Sequence, residues 1–148
     1  MGLPPNLNLK TGVTAKLPGD YKAQGRPSTG PRTIDLPYPP SVNHYWRYAR
    51  GHWHVSTDGQ RYRRTVYASV VGHDMFHGRL DVDVTVWPPD RRRRDLDNVL
   101  KAVLDALAFG GVYKDDEQID DLAVHRGPMQ SGGAVRVVVR ARDDGGAK

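Results

Sequence analysis

The sequence predicts an α/β fold, a single domain with a mixed sheet of about four strands and helices packed on it. Three observations predict it. Residues 80–87 alternate strictly, with Val82, Val84 and Val86 on one side and Asp81, Asp83 and Thr85 on the other, which is the pattern of a half-buried strand. Residues 98–109 follow a helical period, and Leu96, Leu100, Val103, Leu104 and Leu107 form the apolar stripe. Two more stretches, 118–126 and 134–142, read as strands after that helix, the second alternating.

The elements can be justified in order. Residues 33–36 read as a first strand, stopped by Pro37, Pro39 and Pro40. Residues 41–47 read as a polar-aromatic loop. Gly51 marks a turn, and 53–56 read as a short strand. Ser56 or Thr57 can cap a helix running to Val70, with Tyr62, Val66 and Val70 on its apolar face. Pro88-Pro89 ends the strand at 80–87, and Gly110-Gly111 stops the helix after Phe109. Ser131-Gly132-Gly133 joins the last two strands, where Val135, Val137, Val139 and Ala141 alternate with Arg136, Val138, Arg140 and Arg142. There is no internal repeat.

Composition narrows the function. The chain has 148 residues and a net charge of +5, with a pI near 9.6, which favours an anionic partner. It has no cysteine, so disulfides and thiolate metal sites are excluded, and a cytoplasmic location fits. No apolar run approaches the ~20 residues needed to span a bilayer. The N-terminus lacks the apolar core of a secretory signal. Residues 1–32 carry five lysines and arginines against Asp20 alone and are rich in Gly and Pro. They read as a flexible basic tail, and 143–148 as a flexible C-terminal tail. Residues 95–148 instead hold ten acids against seven lysines and arginines. Acids beside a basic stretch make physical sense if divalent cations sit among them.

The chemistry concentrates in Arg91-Arg92-Arg93-Arg94-Asp95-Leu96-Asp97-Asn98. Arginines bind phosphate oxygens, and paired carboxylates bind the hard cations that activate water. Together they suggest a metal-dependent enzyme acting on a polyanion, most simply a nuclease. Asp97 also reads as a helix N-cap, and Asp97, Lys101 and Asp105 at i, i+4 and i+8 read equally as surface ion pairs. A second acidic cluster, Asp115-Asp116-Glu117, returns after the helix, provided residues 112–114 carry the chain back alongside. Asp81 and Asp83 share the D-x-D spacing but belong to the solvent face of a strand. His73 and His77 have the spacing of a helical zinc site, but no third ligand accompanies them and their surroundings read as a loop. His44, His52 and His54, near Trp46 and Trp53, read either as a DNA-contacting group or as an aromatic cluster supporting the fold. No P-loop, G-x-S-x-G or Rossmann fingerprint is present.

From about Ile34 to Arg142 the chain resembles the RusA family of Holliday junction resolvases of phages and prophages. Four segments carry the resemblance: Leu36-Pro37-Tyr38-Pro39-Pro40-Ser41-Val42-Asn43 with Tyr45 and Arg47; His54-Val55-Ser56 with Gly59-Gln60 and Tyr62-Arg63; Pro89 to Asn98 with Lys101, Asp105-Ala106 and Leu107; and Asp115-Asp116-Glu117-Gln118-Ile119. The resemblance implies a homodimeric nuclease domain over 33–142 in which Asp95, Asp97 and Asp116 bind Mg²⁺, for which Mn²⁺ can stand in. It implies Lys101 as the essential lysine, with Asp115 having a weaker claim. It implies branched DNA as partner, with Arg91, Arg92, Arg93, Arg94, Asn43 and Arg47 as candidate DNA contacts. A structure-selective resolvase that nicks a four-way junction in pairs is the expected function. A non-catalytic branched-DNA-binding module and a Mg²⁺ nuclease without junction specificity are the alternatives. The tail 1–32 goes beyond the family pattern.

Overall fold

The computed structural model describes residues 30–142. The expected tails therefore fall outside the described residues except for residues 30–32, of which Arg32 begins a strand. The elements are β1 (Arg32–Leu36), α1 (Val42–Tyr45), β2 (Trp46–Ala49), β3 (His52–Val55), α2 (Thr57–Val70), β4 (Leu80–Trp87), α3 (Leu96–Phe109), a 3-10 turn (Asp116–Gln118), β5 (Ile119–Arg126) and β6 (Ala134–Ala141). Four strands make one mixed sheet in the order β1-β6-β4-β5. β6 runs antiparallel to both β1 and β4, while β5 lies parallel to β4. A parallel pair needs a long crossover, and α3 supplies it.

Alternation sets the two faces of the sheet. Val82, Val84 and Val86 of β4 and Val135, Val137 and Val139 of β6 are buried in one core with Val66, Val103 and Leu107 from the helices. The opposite face is held by cross-strand ion pairs. Arg140 donates to Asp83 at 2.6 Å, Arg142 to Asp81 at 3.3 Å and Arg136 to Asp35 at 2.7 Å. Asp81 and Asp83 are thus spoken for on the outer face of the sheet, as their alternation implies.

Two expectations need correction. The stretch 41–47 is not a loop. The backbone N–H groups of His44 and Tyr45 donate to the Ser41 carbonyl to close one helical turn, and Trp46 then starts β2. A single turn is too short to leave a period in the sequence. The strand read at 53–56 is β3, and it pairs with β2 rather than with the main sheet. Its expected last residue, Ser56, leaves the strand to cap α2, accepting from the Gly59 N–H at 3.0 Å.

One polar cluster joins the helical layer. Arg63 of α2 donates two hydrogen bonds to the Asp105 carboxylate of α3, at 2.9 and 3.0 Å. The Tyr45 hydroxyl of α1 donates to the same carboxylate. Burial, then the hydrogen bond with Asp105, push the Tyr45 hydroxyl above the ordinary phenol range. Arg63 also lies 4.7 Å from the Phe109 ring centroid. Helix α2 abuts the end of β3 so closely that a Cβ on Gly59 would stand 2.5 Å from the Tyr45 carbonyl oxygen and 2.6 Å from Val55 Cγ1.

Asp105→Ala leaves the partly buried Arg63 and the buried Tyr45 without their acceptor. It should lower the unfolding free energy by about 2–3 kcal/mol, read by urea denaturation.

Candidate active site

Helix α3 carries Asp95, Asp97 and Lys101 at its start. The helix begins two residues earlier than the pattern suggests, so Asp95 rather than Asp97 occupies the N-cap position. The Asp95 side chain makes no capping hydrogen bond. Asp97 lies in the first turn, where its carboxylate accepts the Asn98 N–H at 3.0 Å. Both carboxylates are exposed at the positive end of the helix dipole. Lys101 follows one turn later, also exposed. The ion-pair ladder Asp97–Lys101–Asp105 does not form among the described residues, because Asp105 turns to Arg63.

Arginine sorts the remaining acids. Among the described residues Asp35, Asp58, Asp81, Asp83, Asp90, Asp105, Glu117 and Asp120 each lie within 4.0 Å of an arginine. Asp95, Asp97, Asp115 and Asp116 have no such partner, and neither do Asp74 and Asp121. All the acids of the two motifs except Glu117 are therefore left unneutralised by arginine.

The second acidic cluster reaches α3 by a compact route. Tyr113 bridges Phe76 through a single parallel pair, and its buried hydroxyl donates to the Leu104 carbonyl at 2.9 Å. Asp115 then caps the 3-10 turn, accepting the Glu117 N–H at 2.9 Å. Gln118 accepts the Lys114 and Asp115 N–H groups and donates to the Gly78 carbonyl at 2.9 Å. The Glu117 N–H, then a hydrogen bond from Asp116, hold the Asp115 carboxyl below the ordinary range. Desolvation, then the hydrogen bond to Asp115 and the charges of Asp115 and Asp105, push Asp116 above it.

This route brings the turn that holds Asp116 back against α3, where the Asp105 charge acts on the Asp116 carboxyl. Among the described residues no group of three or more His, Cys, Asp or Glu stands where it could hold a metal ion. Asp95 and Asp97 lie together at the start of α3, and Asp116 begins the 3-10 turn that packs against the same helix. The pair still fits Mg²⁺. Its donors are hard oxygens without arginine partners, and Mg²⁺ is commonly held by one or two carboxylates, with water and substrate phosphate completing the shell.

The basic residues divide as well. Arg91, Arg92 and Arg93 are exposed, as are Asn43 on α1 and Arg47 on β2. Arg94 is committed inward, making two hydrogen bonds to the Asp90 carboxylate, while its own carbonyl accepts from Arg126 at 2.8 Å. Arg94, then the Arg92 N–H, hold Asp90 far below the ordinary carboxylate range. Sequence reasoning placed Arg63, Asp105 and Tyr45 in the motifs but did not join them, since no spacing links residues 60 positions apart. His73 and His77 lie in the loop after α2, as expected. A cleft of about 860 Å³ lies between β1, α2 and the end of β4 and includes none of the three aspartates.

Comparison with known proteins completes the description. Residues 37–142 match the family model of endodeoxyribonuclease RusA. The chain belongs to the RusA family. It is 44% identical over 107 residues to the crossover junction endodeoxyribonuclease RusA of Enterobacteria phage HK97, an alignment covering 70% of this chain and 89% of that protein. It is 42% identical over 111 residues to the protein of the same name from Escherichia coli K12, covering 72% and 92%. The corresponding protein of Enterobacteria phage 82 is 40% identical over 109 residues, covering 72% and 91%. The mixed sheet and its helices are thus those of a RusA domain, and all four motif segments fall wholly or largely within the matched region.

Because the folded state disfavours ionised Asp116, that residue stabilises the fold least above its raised pKa, and its penalty vanishes below its unfolded pKa. Asp116→Asn should therefore raise the melting temperature by about 2 °C near neutral pH, a small gain for an exposed group. The gain should disappear near pH ~3, where the aspartate is protonated in both states. Scanning calorimetry at the two pH values checks this.

Proposed function

We propose that this protein is a Mg²⁺-dependent endodeoxyribonuclease that resolves four-way DNA junctions by paired symmetric nicks, in DNA recombination and repair. One observation carries the reading: Asp95 and Asp97 stand exposed and without an arginine partner at the start of α3, close after the exposed Arg91, Arg92 and Arg93. Family membership supports the same chemistry, since the relatives from phage HK97 and Escherichia coli are named crossover junction endodeoxyribonucleases.

Asp95 and Asp97 would hold the cation, with Asp116 the third acid of the set and Mn²⁺ able to replace Mg²⁺. When bound, the cation would acidify a water and offset charge on the attacked phosphate. Lys101, one turn beyond Asp97, would place a positive charge beside the same phosphate and favour the transition state, in which negative charge grows on the leaving oxygen. Arg91, Arg92 and Arg93 would grip the flanking phosphates, with Asn43 and Arg47 as further contacts. Arg94 would act indirectly, fixing the loop before α3 through Asp90. A homodimer with two-fold symmetry would present two such sites to a junction of matching pseudo-symmetry. The protein would act in the cytoplasm, and among the described residues no helix is long and apolar enough to cross a membrane.

Incubation with a synthetic four-way junction and Mg²⁺, beside linear duplex of the same sequence, tests the reading. Paired symmetric nicks are expected in the junction alone. Cutting of both substrates would discard junction selectivity, and binding without cutting would discard catalysis. Asp97→Asn should lower cleavage at least a hundredfold, on the order of the loss when a group that stabilises the transition state is removed, while junction binding persists in a gel shift.

Replacing Arg91, Arg92 and Arg93 with alanine should weaken junction and duplex binding alike. The slope of log affinity against log salt should flatten by about 0.9 for each phosphate that is no longer neutralised. An unchanged slope in a salt titration would remove these arginines from the interface.

A further inference from the structure

The hairpin formed by β2 and β3 stands outside the main sheet, and its two faces have different chemistry. Cross-strand pairing sets Trp46 opposite Val55 and Tyr48 opposite Trp53, so these four side chains share one face. Arg47 opposite His54 and Ala49 opposite His52 make the other. Near the root, Trp46 and Val55 pack against the core. Towards the tip the aromatic face continues past the core. Tyr48 is 62% exposed and Trp53 68% exposed, with ring centroids 5.3 Å apart in an edge-to-face arrangement.

The platform is held rigidly. Arg50 and Gly51 both have positive φ, 53° and 82°, as a tight two-residue hairpin turn requires. At the root the Ser56 N–H donates to the Tyr45 carbonyl at 2.8 Å, and the Ser56 hydroxyl donates to the His44 carbonyl. Gly59 presses directly against the same place. Tyr45 in turn bonds Asp105 on α3, so the hairpin root and the helix that carries Asp97 are tied to one carboxylate.

Charge indicates what the platform meets. The 22 residues between Asp35 and Asp58 contain no acid, and the hairpin carries Arg47, Arg50, His52 and His54. Docking of two hairpins across a two-fold axis would bring like charges together with nothing to offset them. A polyanion with accessible aromatic faces suits both sides of the hairpin: phosphates for the basic face, bases for the rings.

We infer that Tyr48 and Trp53 form a base-stacking platform that takes up unpaired or unstacked bases where the arms of a DNA junction meet. The inference rests on the junction-resolving function proposed above and assigns it a source of structure selectivity. A continuous duplex keeps its base faces covered by their neighbours, so it gives the platform nothing to stack on. A branch point offers terminal base pairs and frayed bases.

The test compares the full-length wild type with the double variant Tyr48→Ala, Trp53→Ala. Fluorescence anisotropy reads affinity for three labelled probes without metal: a four-way junction, its linear duplex and a single-stranded oligonucleotide. Loss of at least about tenfold is expected on the junction and the single strand, within the range for losing base–aromatic stacking, with less than about twofold on the duplex. Unchanged affinity on all three probes overturns the inference, and so does an equal loss on all three, which would make the hairpin a phosphate-binding element. Affinity lost only together with self-association, read by sedimentation, also overturns it, in favour of a second copy of the chain. Circular dichroism checks folding. Should the double variant unfold, Trp53→Phe must retain single-strand affinity and Trp53→Leu must lose it; equal behaviour of the two overturns the inference. Metal-dependent cleavage of the junction by the wild type judges the parent reading separately, because the single-strand probe reports stacking whether or not the junction is cut.

Discussion

Asp105 accepts hydrogen bonds from Arg63 and Tyr45 at once, and through that carboxylate α1, α2 and α3 share one fixed point. Tyr45 is buried, and Arg63 and Asp105 are only partly open to water, so the two-pronged guanidinium contact is stronger than it would be on the surface. Removing Asp105 strands both donors. The rotation of α3 is the one that buries Val99, Val103 and Leu107 in the core, and the Asp105 contact fits it. With Asp105 turned toward Arg63, Lys101 and Asp97 follow along the same side of the helix and drift outward by about 40° per step, because four residues overshoot one turn. With the apolar stripe of α3 buried, the acidic motif at its start faces solvent.

Charge placement then separates structure from chemistry. The outer face of the sheet is rich in arginine, yet Arg136, Arg140 and Arg142 are met by Asp35, Asp83 and Asp81. Arg79 is shared by Glu117 and Asp120, and Arg94 is held by Asp90 alone. Positive charge without such compensation is left at Arg91 and Arg93 before α3 and on the β2–β3 hairpin. Uncompensated acids are left at the start of α3 and in the turn after it. A field of that form attracts a polyanion to the basic elements and a cation to the acidic ones without the two neutralising each other internally.

Much of this was legible in the chain. Strand β4 and the buried faces of α2 and β6 follow from alternation and helical period, because each buries one face against a core and the pattern records it. The D-x-D pair and the arginine run are contiguous, so their proximity needs no fold. Other features left no periodic trace. Helix α1 is a single turn. The hairpin alternates, but its second aromatic pair lies beyond the core, so burial gives no guide to its partner. The start of α3 moved by two residues because a side chain can occupy the cap position without making the capping bond that the sequence rule assumes.

The sequence by itself determined the fold class, the chemistry of the motif and the family, since these depend on local pattern and on residues near one another in the chain. Tertiary structure alone decided that Asp105 belongs to Arg63 and Tyr45 rather than to Lys101, that the turn holding Asp116 packs back against α3, and that Tyr48 and Trp53 are bare. Each of these is a choice among chemically equivalent partners. A carboxylate in a sequence has many possible cations, and an aromatic ring many possible neighbours. Which one it meets is settled by the packing of distant elements, where a rotation or shift of a few ångströms exchanges one partner for another.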